Sequence, residues 1–364
     1  MTARANVSSS PAIERDSPSP LVSVIIPAYN SAVSLPRSID SALAQGLGTA
    51  AEIIVVNDGS TDAVPEVAAR YAGAIVYIEQ QNQGQAAARN RGLAAARGKY
   101  VAFLDSDDYW LPRFLRACLE FLESHPDAAA VSTGQLIKLW GKEEKIRPQF
   151  LNDPSAASLH PIVLEKFFEF WSRHDHIRTG STLIRRELIE AAGYQRADLW
   201  QCEDLEYWGY LATFGRWGFI PQVLFVSDGA AAAAAQGWTA KYRVRRRRCP
   251  TVEQWQSRLL PRISPQDFPF FRLVRGRVAT MFAHSKILAG DDAAALDIVR
   301  EYGGELARQW SSRLMMLGLK TGAPGWRAAC GLLRLRERTK SFFMTFARRF
   351  SGIGGTERTD TSSG

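Results

Sequence analysis

The sequence predicts an open α/β sheet, mostly parallel and covered by helices on both faces, followed by a helical C-terminal region. Three observations predict it. Continuous apolar runs recur between helix-length segments from Leu21 onward, which is how strands buried on both faces read. Three of those runs end in turn residues, PAYN, NDGS and DSDD, as strands do where they leave a sheet. Beyond about residue 228 the strand signal fades and helical patterns take over.

The elements follow in order. LVSVIIPAYN is the first strand, and SLPRSIDSALAQG the first helix, with Ser34 as N-cap and Gly46 as its stop. AEIIVVNDGS is a strand, DAVPEVAARYA a helix, AIVYIEQ a strand, GQAAARNRGLAAARG an alanine-rich helix and KYVAFLDSDD the fourth strand. LPRFLRACLEFLESHP and PIVLEKFFEFWSRH read as helices, GSTLIRRELI as a strand running into a helix, and EDLEYWGYLATFG as an amphipathic helix before WGFIPQVLF. Ala230 to Ala235 form a low-complexity lid or connector, and KYRVRRRRC opens the helical region with a dense basic cluster. The Ser/Pro-rich start lacks the large apolar groups that would offset its ordering entropy. The division is therefore a loose tail at 1–20, a sheet domain at 21–228, a basic helical region at 229–350 and a second tail at 351–364.

Composition sets limits. With 364 residues, 46% of them hydrophobic, the chain can bury a substantial core. Cys118, Cys202, Cys249 and Cys330 are widely spaced and form neither a CxxC pair nor a disulfide framework, which fits a reducing cytoplasm. No stretch reaches the ~18 apolar residues of a spanning helix, and no signal peptide is recognisable, so the expected place is the cytoplasm. A net charge of +8 favours an anionic partner. Nucleic acid is not expected, because no RRM, KH or zinc-finger signature accompanies the basic run. The first turn, PAYN, is not GxGxxG, and no GxxxxGK[ST] occurs. That excludes dinucleotide and P-loop chemistry.

The acidic turns carry the chemistry. Ligands of open α/β sheets bind beyond the carboxyl ends of the strands, where Asp105, Asp107 and Asp108 are crowded together. Carboxylates at i and i+2 on a turn can converge on one hard divalent cation, Mg²⁺ or Mn²⁺, that relieves their repulsion; the alternative is an acidic turn capping the helix that follows. Asn57 and Asp58, followed by Gly59, Ser60 and Thr61, form a second such turn. An ionised Asp58, acceptor-only, suits the donors of a base or ribose, and Tyr29 offers an aromatic face. His174 and His176, spaced i, i+2, have the wrong spacing for a helical metal site. They suit a cleft rim. Trp171, Trp200 and Trp208 are either sugar-stacking faces or core.

Jointly, VSVIIPAYN, IIVVNDGSTD, NQGQAAARNRGLAAARGKYVAFLDSDD and, about a hundred residues on, CEDLEYWGYLATFG resemble the family 2 glycosyltransferases, over roughly residues 21 to 228. The resemblance implies a GT-A fold, a nucleotide-sugar donor and inverting transfer to a glycan or lipid-linked saccharide. It implies that Pro27, Ala28, Tyr29, Asn30 and Asp58 line the base and ribose site, with Ser106 beside the donor. Asp105 and Asp107 would be the DxD pair, Asp107 holding the cation against the diphosphate, and Arg89 would pair with phosphate oxygens, with Gln83, Gly84 and Arg91 as further candidates. Glu203 and Asp204 would supply the general base, Asp204 first. A non-catalytic nucleotide-binding membrane adaptor remains the alternative, and a sugar-phosphate nucleotidyltransferase is disfavoured because PAYNSAVSLPRS is not a Gly-rich basic loop.

In the C-terminal region, Leu332, Leu335, Phe342, Phe343, Phe346 and Phe350 form an apolar stripe flanked by Arg334, Arg336, Arg338, Lys340 and Arg348. That pattern suits a helix lying on an anionic membrane surface, which places the protein peripherally at the inner face of the plasma membrane. It equally suits core packing or a partner helix. The cluster from Lys241 to Arg248 would contact lipid or an acceptor pyrophosphate.

Overall fold

A computed structural model describes residues 19–138, 144–228 and 238–351, with side chains in the last stretch described from 243 to 339. The N-terminal tail up to residue 18, the run Ala230 to Ala235, the residues after 351, and the side chains of Phe342, Phe343, Phe346 and Phe350 lie outside the described residues.

Among the described residues ten strands form one mixed sheet: β1 (Val22–Ala28), β2 (Ala51–Asp58), β3 (Val76–Gln80), β4 (Tyr100–Phe103), β5 (Tyr109–Trp110), β6 (Ala128–Lys138), β7 (Glu144–Arg147), β8 (Ile162–Val163), β9 (Thr182–Arg185) and β10 (Arg216–Asp228). Their order is β3-β2-β1-β4-β9-β6-β10-β5, with β7 beside β6 and β8 beside β10. The β3-β2-β1-β4 half is parallel, as expected. β9 runs antiparallel to both β4 and β6.

The continuous apolar strands are explained by two cores, one on each face. Along β1 and β2, Ile25, Ile54 and Val56 enter one core, while Val24, Ile26, Ile53 and Val55 enter the other. This is the period-two alternation of a pleated strand buried on both sides. The helices α1 (Leu35–Leu43), α2 (Val64–Ala69) and α4 (Phe114–Ser124) cover the second face. The first is covered by α3 (Gln85–Ala95), α5 (Phe167–His174), α6 (Arg186–Ala192) and α7 (Glu203–Leu211).

The C-terminal helices are α8 (Trp238–Arg247), α9 (Val252–Gln256), α10 (Phe268–Ala289), α11 (Asp292–Tyr302), α12 (Trp310–Lys320) and α13 (Gly322–Ser351). Of these, α9 to α13 share the first core: Trp255, Phe271, Val274, Val278 and Phe282 are fully buried in it with Trp171 and Trp208. Trp255 stacks on Phe271, the ring centroids 6.1 Å apart, and donates to Cys202 O at 3.0 Å. No helix among the described residues is long and apolar enough to cross a membrane.

Some sequence readings need correction. PIVLEKFFEFWSRH is not one helix, because Ile162–Val163 pair with β10 before α5 begins. The segment AAAVSTGQLIK, not read as a strand, is the eleven-residue β6 near the middle of the sheet. Ser34 occupies the N-cap of α1, but its hydroxyl makes no capping bond.

Candidate functional site

Three turns at the carboxyl ends of the parallel strands are stitched together. After β1 the chain turns at Asn30, in the left-handed region at φ 50°. The Asn30 amide oxygen accepts from Thr61 N at 2.7 Å, its own N–H donates to Ser60 Oγ at 3.1 Å, and Ala32 N donates to Asp62 Oδ2 at 2.8 Å. PAYN and NDGSTD are thus a single hydrogen-bonded unit. Gly59 is required there: φ is +71°, and an added Cβ would lie 2.8 Å from Asn82 N.

Asp58 organises the next loop. Its Oδ1 accepts from Gln80 Nε2 at 2.7 Å and Gln83 N at 2.9 Å, and its Oδ2 accepts from Gly84 N at 2.9 Å. The carboxylate therefore fixes residues 80–84 as well as lining the cavity they border.

Asp105, Ser106, Asp107 and Asp108 bridge β4, inside the sheet, to β5 on its far edge. The turn is closed by Asp108 N donating to Asp105 O at 3.0 Å. Arg37, which the motif reading missed, donates to Asp107 O at 3.0 Å and to Asp228 Oδ2 at 2.8 Å, and Ser38 donates to Asp108 O at 2.6 Å. One carboxylate oxygen from each of Asp105, Asp107 and Asp108 lies within 4.8 Å of the others. An all-oxygen set of this kind fits a hard divalent cation. Asp108 is buried and accepts from Asp228 N at 2.8 Å. Burial first, then the Asp107 and Asp105 charges, hold its carboxyl well above the usual aspartate range.

Arg89, expected to face donor phosphates, is instead fully buried. Its Nη2 donates to Asp105 Oδ1 at 2.7 Å, and its Nη1 lies 3.4 Å from Gln195 Oε1 and 4.0 Å from Glu203 Oε1. The guanidinium is a cation set between the aspartate turn and the N-terminus of α7, whose first turn holds Glu203 and Asp204. Arg245 reaches Glu203 from the other direction, at 3.2 Å. Asp204 accepts from Leu205 N at 2.8 Å. Burial and then the neighbouring Glu203 raise its carboxyl above the ordinary aspartate value, although Arg89 and Arg245 pull the other way.

These groups meet in one cavity of about 1050 Å³. Its lining includes Pro27, Ala28, Tyr29 and Asn30 from the first turn, Asp58, Gln83 and Gly84 from the second, and Asp105, Ser106 and Asp107 from the third. Glu203 and Asp204 line it too. Arg91 is exposed and has no place there. Trp200 lies on the wall near Gly84, Trp171 is 1% exposed with its edge on the cavity, and Trp208 is core, 6.0 Å from the Phe103 ring. Of the HDH stretch only Asp175 lines the cavity. His176 is fully buried among Phe167, Phe170 and Phe219.

An open, mostly parallel sheet with acidic turns at the ends of β2 and β4 is the GT-A architecture. Residues 23–192 match the family model described as Glycosyl transferase family 2. It is 48% identical over 191 residues to the uncharacterized glycosyltransferase EpsJ of Bacillus subtilis (strain 168), covering 52% of this chain and 53% of that protein. It is 35% identical over 162 residues to the succinoglycan biosynthesis protein ExoO of Rhizobium meliloti (strain 1021), covering 43% and 45%. The chain spans about half the length of the curated relatives it matches. Two solved structures share the fold. S. aureus TarS 1-349 in complex with UDP-GlcNAc has a TM-score of 0.51 at 15% identity, covering 88% of this chain and 92% of that one. The mannosyltransferase PcManGT from Pyrobaculum calidifontis, in complex with GDP-Man and Mn²⁺, has 0.52 at 21%, covering 87% of each.

Proposed function

We propose that the protein is a metal-dependent, inverting glycosyltransferase that moves a sugar from a nucleoside-diphosphate donor to an acceptor hydroxyl in cell-surface polysaccharide assembly. One observation carries this reading: the aspartate turn and the Glu203–Asp204 pair line the same cavity and share the buried Arg89 between them. Asp105 and Asp107 would hold Mg²⁺ or Mn²⁺, which when bound neutralises charge gathering on the departing diphosphate. Tyr29, Asn30 and Asp58 take the base and ribose, and Ser106 lies beside the donor. Asp204 accepts the proton of the acceptor hydroxyl as that oxygen bonds the anomeric carbon; the anomeric C–O bond to the diphosphate breaks, and the leaving group departs with the electron pair. A base with a raised pKa is better matched to this step than an ordinary aspartate. Arg89 positions both carboxylate groups without meeting solvent.

The test is calorimetric binding of UDP, GDP, dTDP and CDP with and without Mn²⁺, followed by transfer from the matching nucleotide sugar. Metal-dependent binding lost in Asp107→Ala, together with transfer lost in Asp204→Asn, is the expected result. Tight nucleotide binding with no transfer to any acceptor would favour the non-catalytic adaptor.

We also place the protein at the inner face of the plasma membrane. Trp310, Leu317, Leu332 and Leu335 are between 48% and 59% exposed, and the same two helices carry Arg313, Lys320, Arg327, Arg336 and Arg338, Arg336 lying over the Trp310 ring. Basic flanks around an apolar face complement anionic headgroups. Cosedimentation with phosphatidylglycerol vesicles but not phosphatidylcholine vesicles is expected; equal partition to both would remove the assignment.

A further inference from the structure

The cavity has chemically opposite walls. Its carboxylates, Asp58, Asp105, Asp107, Asp175, Glu203 and Asp204, all precede residue 205, where Arg178 beside Asp175 is the one lining arginine among the described residues. The wall built after residue 238 brings four arginines, Arg245, Arg246, Arg248 and Arg277, and no carboxylate among the described lining residues. The helix α10 contributes Val274, Arg277, Met281, His284, Ser285 and Leu288, whose spacings of three, four, three, one and three trace one face of an α-helix. This wall lies beyond the segment that matches the family model.

The arginines are oriented rather than loose. Arg245 donates to Trp200 O at 2.9 Å, Arg246 pairs with Glu337, and Arg248 lies 4.1 Å over the Trp200 ring. Arg277 donates to Trp171 O at 3.0 Å and lies 3.8 Å from Asp175. A guanidinium has five N–H donors in a planar fork; Arg248 meets Trp200 through the face of its guanidinium, and Arg277 gives one donor to Trp171 O with Nη1 facing Asp175, so both keep donors for a ligand. Forks held this way match phosphate oxygens in pairs. The volume, about 1050 Å³, lies just above the ~300–1,000 Å³ usual for a single ligand. The donor diphosphate is already assigned to the aspartate turn.

We propose that the helical wall recognises the acceptor through a phosphate group, so that the acceptor is a phosphate-bearing saccharide, with Arg248 and Arg277 as the phosphate-reading residues. This rests on the glycosyltransferase reading above and adds its substrate class. The phosphate has two possible sources, the pyrophosphate of a lipid-linked saccharide or the phosphodiester of a polyol-phosphate chain.

Binding is measured by calorimetry on the full chain in EDTA, where no cation can seat a phosphate on Asp107, with inorganic pyrophosphate and glycerol 3-phosphate as separate probes. The expected result is that one probe binds, that Arg248→Gln/Arg277→Gln weakens it at least about tenfold, and that Asp107→Ala leaves it undiminished. Pyrophosphate as the tighter probe points to the lipid-linked source, glycerol 3-phosphate to the polyol phosphate. Absence of binding by either probe, or unchanged binding in the double variant, overturns the proposal. Loss of probe binding in Asp107→Ala assigns the phosphate to the donor side and overturns it as well. The double variant must keep its thermal transition and its nucleotide binding with Mn²⁺; loss of both marks misfolding, and the single variants Arg248→Gln and Arg277→Gln then decide. No turnover is needed, so absence of transfer in the wild type would count against the function above and not against this site.

Discussion

The two walls of the cavity are built by different means. On the sheet side, each functional group sits on a short turn anchored by its neighbours: Asn30 to Thr61, Asp58 to Gly84, Asp105 to Arg89. On the helical side, groups are spread along one face of α10 and the end of α8, on successive turns of helix rather than on one tight turn. The first wall is suited to chemistry that tolerates little displacement, the second to recognition that can be retuned.

The largest effect expected on the first wall is from Asp204→Asn, which should reduce kcat by about 10²–10⁴-fold while raising the melting temperature. The sign follows from the raised carboxyl: the folded protein favours neutral Asp204, so ionisation above its unfolded value costs stability that an amide does not. For the same reason the acid limb of the wild-type rate profile should lie at higher pH than an ordinary aspartate gives. Coincident loss of activity and of melting temperature would mean that Asp204 only supports the helix. Next comes Arg89→Met. Removing a buried cation from between Asp105 and Glu203 leaves both carboxylates uncompensated, and about 3–5 kcal/mol of stability should be lost in urea unfolding. A loss below about 1 kcal/mol would show that the two turns do not depend on their shared partner.

A smaller effect tests the core beneath the walls. Burial first, then His174 and Arg277, push the His176 imidazole down to about 3. Because the unfolded chain takes up this proton near ~6.5 and the folded one does not, stability should fall by about 1.4 kcal/mol per pH unit as pH drops through that interval. His176→Phe should flatten the acid limb of ΔG against pH; an unchanged slope would assign it to other groups. The smallest effect is expected outside the cavity. Leu335→Glu, at a site 57% exposed, should alter stability by no more than about 0.5 kcal/mol while abolishing vesicle binding.

The same contrast governs what the sequence revealed. The turns after β1, β2 and β4 were readable because each follows an apolar run and is written in residues with restricted conformational uses. The strand β6 was not, since Ser132, Thr133, Gly134 and Gln135 look like loop composition while Ser132, Thr133 and Gln135 are fully buried. For Arg89 the resemblance pointed to donor phosphates; only the tertiary placement of Asp105 and Glu203 shows why the guanidinium is buried. The α10 face was present as a spacing pattern, but periodicity says which side of a helix is distinct and not what it faces.

The burial of Phe271, Val274, Val278 and Phe282 in the same core as Trp171 and Trp208 has a consequence for how acceptor choice can evolve or be engineered. A recognition wall sewn into the catalytic core cannot be exchanged as a cassette, because any crossover near residue 228 would mismatch two halves of one packed interior. New acceptors must be reached by stepwise replacement at the cavity positions Arg277, Met281, His284 and Leu288 of α10, with the core positions Phe271, Val274, Val278 and Phe282 held constant.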